Sequence, residues 1–125
     1  MSFWRAERKA FSSARAGLSR REIGEIGEAA AAEFLTARGA SILDRNVRVG
    51  RGEIDLVVSL DGERVAVEVK SALASASSDP IYHFDDDKQR QVRMLAHRHG
   101  ISRVDYIGVE LSAGGVTVRW LPRVC

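Results

Sequence analysis

Two valine-rich runs on either side of an Asp-Gly pair constrain the fold of this chain more than any other feature of its sequence. The runs are EIDLVVSL, residues 53–60, and ERVAVEVK, residues 63–70, and Asp61-Gly62 separates them. An Asp-Gly pair between two β-rich runs is a strong signal for a hairpin with a two-residue turn. The sequence therefore predicts two adjacent antiparallel strands.

The register of this hairpin brings two acidic residues together. With Asp61 and Gly62 at the centre of the turn, paired positions sum to 123, so Asp55 faces Glu68. Side chains alternate between the two faces of a strand, so one face is predicted to be apolar and the other charged. The apolar face holds Ile54, Leu56, Val58, Val65, Val67 and Val69, and the charged face holds Glu53, Asp55, Glu68 and Lys70.

Opposed carboxylates destabilise a sheet unless a cation or a raised pKa compensates for them. Mg²⁺, or Mn²⁺ in its place, would do so through oxygen ligands. Lys70, on the same face, could then orient an attacking water or neutralise charge on a phosphoryl group. The alternative is a solvent-exposed face on which Glu53 or Glu68 pairs with Lys70, and a slip of one residue would remove the opposition altogether.

The composition fits one globular domain. The 125 residues can bury a core without staples, and the one cysteine, Cys125, excludes an internal disulfide. No apolar stretch approaches the roughly 18 residues of a bilayer span, and the N-terminus lacks a secretory signal core, so a cytoplasmic protein without membrane contact is expected. Sixteen arginines against three lysines favour anionic partners such as phosphates, although genomic base composition could produce the same bias.

Residues 1–21 form a basic arm with six basic residues and one acid. Such an arm either contacts nucleic-acid phosphates or is a solvated terminus. Its aromatic residues Phe3, Trp4 and Phe11 are predicted to dock on the domain or on a partner chain rather than to stack on bases.

The rest of the chain, residues 22–125, is predicted to be a single domain with an α/β fold, in which a mixed sheet is flanked by helices. The element order is α-β-β-β-α-β-β. The predicted helices are 22–38, with an apolar stripe of Ile23, Ile26, Ala30 and Phe34, and one that runs from Asp85–Asp87 to His99, with a stripe of Val92, Leu95 and Ala96. The predicted strands are 40–49, 53–60, 63–70, 103–111 and 115–122, and residues 71–84 form a loop.

Four short motifs carry a resemblance to known proteins. They are GE at 27–28, RN at 45–46, GEID at 52–55 and EVK at 68–70. Together with DDKQRQVRMLA after the loop, they resemble the YraN-like bacterial family, over about residues 22 to 110. That family is similar to archaeal Holliday-junction resolvases and to the restriction-endonuclease-like, or PD-(D/E)xK, nucleases, so the resemblance implies their fold.

The resemblance implies a catalytic metal site. Asp55 and Glu68 would be metal ligands, the Val69 carbonyl a third ligand, and Lys70 the catalytic lysine. Glu28, on the first helix, matches the extra acidic residue that resolvases bring to the metal. The alternative for Glu28 is an ordinary exposed helix glutamate.

The resemblance also implies nucleic-acid contacts. Lys88 and Gln89 match the start of the second helix, where an ammonium group and the helix N-terminus would suit a phosphate; the alternative is a surface lysine that balances the preceding aspartates. Asn46, Arg48 and Arg51 would contact the nucleic-acid backbone or hold the site together, although a charged strand edge would look the same.

The chain departs from the resembled pattern at two places. Ser71-Ala72 follows EVK where many members have a polar residue and an arginine, and Ile54 stands before Asp55 where the superfamily name has a proline. His83, His97 and His99 do not make a zinc set, because His97 and His99 point to different sides of a helix.

The leading hypothesis is a metal-dependent DNA endonuclease. Branched DNA as the substrate, and the two-fold homodimer that it would require, are implied by the resemblance alone. The alternatives are a nucleic-acid-binding or repair-accessory module with an idle or partner-dependent site, and a purely structural or protein-interaction domain.

Overall fold

The computed structural model describes residues 6–9, 17–74 and 84–125, with the backbone alone for 6–9. Phe3, Trp4, Phe11 and His83 lie outside the described residues, as does most of the predicted loop. The elements are β1 (Ala6–Lys9), α1 (Arg20–Thr36), β2 (Ser41–Val49), β3 (Gly52–Leu60), β4 (Glu63–Leu73), α2 (Asp86–Arg98), β5 (Arg103–Ser112) and β6 (Gly115–Leu121).

The strands form one mixed sheet in the order β1-β6-β5-β4-β3-β2. β4 and β5 run parallel, and the other neighbouring strands are antiparallel. α2 lies in the connection between the two parallel strands, as a crossover of this kind requires. The predicted α/β class and mixed sheet are therefore confirmed.

The two helices cover opposite faces of the sheet. α1 packs on a cluster that includes Leu56, Val58, Val65 and Val67. On the other face α2 packs Val92, Leu95 and Ala96, the stripe predicted for it, against a second cluster. The stripe predicted for α1 packs on the first cluster, with Phe34 buried and Ile23, Ile26 and Ala30 half-buried against it. The buried residues of α1 are Gly27, Ala31, Ala32, Phe34 and Leu35.

The predicted hairpin register is confirmed from the turn to Leu56, which pairs with Val67. The predicted faces are wrong at Ile54. Ile54 belongs to the cluster under α2, whereas Leu56, two residues later, belongs to the cluster under α1. Regular alternation would put both on one face, so it breaks at Asp55 between them.

β1 was not predicted. Its sequence, AERK, has no apolar alternation, and its place in the sheet comes from antiparallel pairing with β6. Part of the predicted arm is therefore an edge strand.

A buried polar network lies on β5. Asp105, fully buried, accepts hydrogen bonds from Arg103 Nε and Nη2 at 2.9 and 3.1 Å. It also accepts from Trp120 Nε1 at 2.9 Å and from the backbone N–H of Arg123 at 3.0 Å. Arg103 is 4% exposed and also reaches Glu63 at 3.0 Å. Four donors thus pair with the two oxygens of the Asp105 carboxylate, so this buried charge is fully hydrogen-bonded within the fold.

Neither helix of the described residues has the length and apolar character needed to span a membrane.

Candidate active site

Asp55 lies where the β3–β4 ladder ends. The last pair is Leu56 with Val67, so Asp55 and Glu68 are the next positions. Asp55 Oδ2 there accepts a hydrogen bond from Val69 N–H at 2.8 Å. The side chain thus satisfies a backbone donor that the end of the ladder would otherwise leave unpaired.

Asn46 occupies the corresponding position on β2. It lies between the pairs Arg45–Leu56 and Val47–Ile54, and its φ of 51° is in the left-handed region. Asn residues tolerate this conformation better than most side chains. Both strands are therefore irregular at the same level of the sheet.

The Asn46 amide connects α1 to β3. Its Nδ2 donates to Glu28 Oε1 at 3.3 Å and to Glu53 Oε1 at 3.4 Å. Glu28 is accordingly half-buried and linked to the sheet through Asn46.

Four carboxyl groups interact electrostatically here, and we call them the acidic cluster: Glu28, Glu53, Asp55 and Glu68. Burial raises the pKa of Asp55 from 3.8 to about 7, the Glu68 carboxyl adds to the increase, and the bond from Val69 N–H opposes it. Burial also raises the pKa of Glu28; the Asn46 hydrogen bond acts against that increase, and the charges of Asp55 and Glu53 reinforce it.

A lysine from α2 forms an ion pair with the acidic cluster. Lys88 Nζ lies 3.0 Å from Glu68 Oε2, and Glu68 is only 9% exposed. The Asp85 side chain caps α2 by accepting from Lys88 N–H at 2.9 Å, which anchors this end of the helix. The alternative in which Glu68 pairs with Lys70 on an exposed face does not describe this arrangement.

A cleft opens beside the acidic cluster, between α1 and the end of β4. Its volume is about 540 Å³. The two elements come close because α1 presents Gly27 to β4: a Cβ there would lie 1.6 Å from Ser71 Oγ. The lining residues are Arg20, Ile23, Gly24, Glu28, Val69, Lys70, Ser71, Ala72 and Leu73.

Three of the predicted site residues, Glu28, Val69 and Lys70, therefore line one cleft. Lys70 is exposed and makes no ion pair with any described residue. Its ammonium group is available to a ligand in the cleft.

Arg20 also lines this cleft, and sequence reasoning assigned it to the arm. The signal that could have found it is the capping box at the start of α1. The Ser19 side chain accepts from Glu22 N–H, and the Glu22 side chain accepts from Ser19 N–H. The Ser-x-x-Glu pattern predicts a helix beginning at Arg20 and so attaches Arg20 to the domain.

The predicted nucleic-acid residues have different environments. Arg48 on β2 and Arg51 in the β2–β3 turn are exposed. Gln89 is half-buried, and its Nε2 donates to the Phe84 carbonyl at 3.1 Å. The Gln89 side chain is thus bound to the protein's own backbone.

Asp55, Glu68 and the Val69 carbonyl are oxygen donors of the kind that Mg²⁺ and Mn²⁺ take. Across residues 17–74 and 84–125, no three acidic, histidine or cysteine side chains come together as a metal-binding group. A cation at this site would therefore take its remaining ligands from water, from a backbone carbonyl or from a substrate.

Comparison with known proteins gives a family match over most of the chain. The profile of the uncharacterised protein family UPF0102 matches residues 27–109. A UPF0102 protein of Symbiobacterium thermophilum is 47% identical over 76 residues, which are 61% of this chain and 64% of that protein, so the match covers just under two thirds of it.

Two further relatives match over more of their length. A UPF0102 protein of Clavibacter michiganensis is 35% identical over 75% of this chain and 86% of its own. One from Streptomyces coelicolor is 39% identical over 80% of this chain and 85% of its own.

Among solved structures, SfsA of Pyrococcus furiosus in complex with Ca²⁺ covers 82% of this chain and 64% of its own, at 16% identity and a TM-score of 0.37. A likeness this distant carries no argument about fold or function.

Proposed function

This chain belongs to the uncharacterised protein family UPF0102, whose name states no activity, and we propose that it is a metal-dependent DNA endonuclease with a restriction-endonuclease-like fold. The observation that carries the proposal is the half-buried Asp55 carboxyl beside Glu68, with its pKa raised to about 7, next to a cleft that contains Lys70. Perturbed carboxyl groups beside a cleft are candidates for a functional site.

The donor set fits a hard divalent cation. Asp55 and Glu68 would hold it, with the Val69 carbonyl as a further oxygen ligand and Glu28 supplying acidic charge from α1. When bound, Mg²⁺ or Mn²⁺ would polarise a phosphodiester and lower the pKa of an attacking water. The raised pKa of Asp55 supports this assignment, because burial and then the Glu68 charge disfavour its ionised form, and a bound cation would offset both effects.

The lysines have separate roles in this proposal. Lys70, exposed in the cleft and without an ion pair among the described residues, would orient the attacking water or neutralise charge that develops on the phosphoryl group. Lys88 supplies positive charge to Glu68 from α2, at 3.0 Å. Arg20 would bind a substrate phosphate within the cleft.

A second candidate function is a nucleic-acid-binding or repair-accessory module whose site is idle without a partner. The Lys88–Glu68 ion pair favours this candidate, because an ammonium group that already occupies a metal-ligand carboxylate competes with the cation. The two candidates differ in whether the purified protein cleaves DNA.

The decisive experiment compares wild type, Asp55→Asn and Lys70→Ala on four-way junction, flap, duplex and single-stranded DNA, with Mg²⁺, with Mn²⁺ and with chelator. We expect cleavage by wild type in either metal, and a loss on the order of 10²-fold or more in both variants, as removal of a group that stabilises charge in a transition state usually causes. Asp86→Asn, on the exposed first turn of α2, is the matched control and should cut like wild type.

Each other outcome has a definite meaning. Equal cleavage by wild type and both variants would identify a contaminating nuclease and contradict the proposal. Wild type that binds DNA without cutting it under any metal would favour the accessory module. A junction preference would support the resolvase-like substrate, and sedimentation should then show a dimer, because cutting two strands of a junction symmetrically needs two sites related by a two-fold axis.

A further inference from the structure

A basic surface lies on the exposed side of α2, outside the proposed catalytic groups. Two shallow grooves, of about 610 and 180 Å³, lie side by side there and share Gln91 and Met94 in their linings. No acidic side chain is among these described lining residues. We call this surface the α2 basic face, and its charged and imidazole side chains are Arg51, Arg90, Arg93, His97 and Arg98.

The helix period and one turn build this surface. Arg90, Arg93 and His97 follow at helical spacing on the side of α2 away from its buried stripe. The β2–β3 turn brings Arg51 to the same place: Arg98 Nη1 is 3.5 Å from where a Cβ of Gly50 would lie. Turn and helix thus present one continuous set of cations.

Most of these cations have no ion-pair partner among the residues that the structure describes. Arg90 pairs with Asp87 on its own helix. Arg51, Arg93 and Arg98 are exposed and form no ion pair within the described part of the chain. Clustering of unpaired guanidinium groups repels unless an anion lies against them, so the surface favours a polyanion.

The α2 basic face is connected to the acidic cluster through the helix itself. Lys88, at the start of α2, touches Glu68, and Arg98 is ten residues further on. Ten residues of α-helix span about 15 Å, which is about the length of four base-pair steps of duplex DNA. Planar guanidinium groups suit phosphates, which they bind with two hydrogen bonds.

We propose that the sugar-phosphate backbone of duplex DNA lies along the α2 basic face and is led from there to the acidic cluster. This inference rests on the proposed function, because it names the surface by which the substrate of that site is held. Contacts of this kind position the duplex without reading its sequence.

The test measures binding of a labelled duplex by fluorescence anisotropy between 50 and 200 mM salt, in chelator so that no cleavage occurs. The test variant is Arg93→Gln with Arg98→Gln. The control is Arg21→Gln with Arg64→Gln, which removes the same net charge from exposed positions elsewhere, where Arg21 pairs with Glu25 across one helical turn.

Each lost phosphate contact should reduce the slope of log affinity against log salt by about 0.9, so the test variant should lose about 1.8. At 0.1 M salt the same relation gives a loss of affinity of up to about 60-fold. The control should retain the wild-type slope. Equal decreases of the salt slope and the affinity in the two variants would attribute the effect to net charge alone and overturn the inference. A test variant with the wild-type slope and affinity would also overturn it.

The outcomes separate this inference from the proposed function. Metal-dependent cleavage by a test variant that binds like wild type would leave the nuclease standing and overturn the inference. Selective loss of binding in a protein that cuts nothing would support the inference and contradict the nuclease. Self-association that disappears in the test variant, with DNA binding unchanged, would assign the face to a second copy of the chain and also overturn it.

Discussion

Replacing Asp55 by Asn should remove a pH-dependent loss of stability from the folded chain. The folded state raises the pKa of this carboxyl from 3.8 to about 7, chiefly by burial and then by the Glu68 charge. Between these values the folded protein keeps a proton that the unfolded chain has released, so the free energy of unfolding falls as pH rises and levels off above about pH 7. Asn carries no charge and retains an oxygen that can accept from Val69 N–H.

The magnitude follows from that interval of pH. Each pH unit between the two pKa values lowers the free energy of unfolding by about 1.4 kcal/mol. An interval of about three units gives about 4 kcal/mol as the largest effect. We therefore expect Asp55→Asn to match wild type near pH 4 and to exceed it by up to about 4 kcal/mol at pH 8.

Urea unfolding from pH 4.5 to 8.5 measures this directly. The difference between variant and wild type reports the titration of Asp55 together with its interaction with the Glu68 carboxyl, because the remaining titrating groups are common to both proteins. Asp86→Asn, at an exposed position on α2, is the control and should show no such rise between pH 5 and 8. A difference that stays constant over this range, or that falls as pH rises, would refute the reasoning.

The same assay tests the metal. At pH 8 an ion that binds only the folded wild type should stabilise it by about 2.7 kcal/mol at a concentration 100 times its dissociation constant. Asp55→Asn should respond much less to Mg²⁺ or Mn²⁺. Equal responses would place the ion elsewhere.

Three further changes test the contact between α1 and β4, the arginine in the cleft and the buried network on β5. Gly27→Ala should destabilise the chain by about 1–3 kcal/mol, because its Cβ would lie 1.6 Å from Ser71 Oγ. Adding Ser71→Gly to this variant should restore most of the lost stability in thermal melts. Absence of this rescue would count against the close contact. Arg20→Ala should raise KM for DNA several-fold with little change in kcat, because it removes a contact that is equally strong in the ground state and in the transition state. Arg21→Ala, whose arginine pairs with Glu25, should leave both constants unchanged. Equal effects of the two substitutions would contradict the assignment of Arg20 to the cleft. Asp105→Asn should lower the free energy of unfolding in urea by about 3–5 kcal/mol, because the new amide nitrogen would face the N–H donors of Arg103 and Trp120 in a buried site. A decrease below about 1 kcal/mol would show that the network is dispensable.

The sequence predicts local register well and its interruption poorly. The Asp-Gly turn and the valine alternation predict the pairing as far as Leu56 and Val67, because both signals are local. The prediction fails at Ile54, because the alternation breaks at Asp55. The Asp55 side chain there accepts the hydrogen bond from Val69 N–H. A period-two pattern contains no information about a side chain that replaces a ladder bond.

Contacts between distant segments were the least predictable. The resemblance indicated Lys88 as a site residue, but only the packing of α2 against the sheet brings its ammonium group to Glu68. β1 has no pattern of its own and depends on the edge that β6 offers. Arg20 had a usable local signal, the capping box, which lay at the border between the predicted arm and the predicted helix.

The sheet contains two half-buried or buried aspartates, and they are compensated in different ways. Asp105 is held by the fork of Arg103, which is itself 4% exposed, and by further donors that leave no lone pair for a ligand. Asp55 instead accepts one backbone N–H, hydrogen-bonds with the Glu68 side chain and has a raised pKa. Among the described residues, Glu68 forms an ion pair with Lys88, whose side chain is 41% exposed. A proton and an exposed ammonium group can both be exchanged for another cation, whereas a buried guanidinium fork cannot. A purely structural acidic pair has no need of exchangeable compensation, and this contrast within one sheet favours a site at Asp55 that takes up a cation.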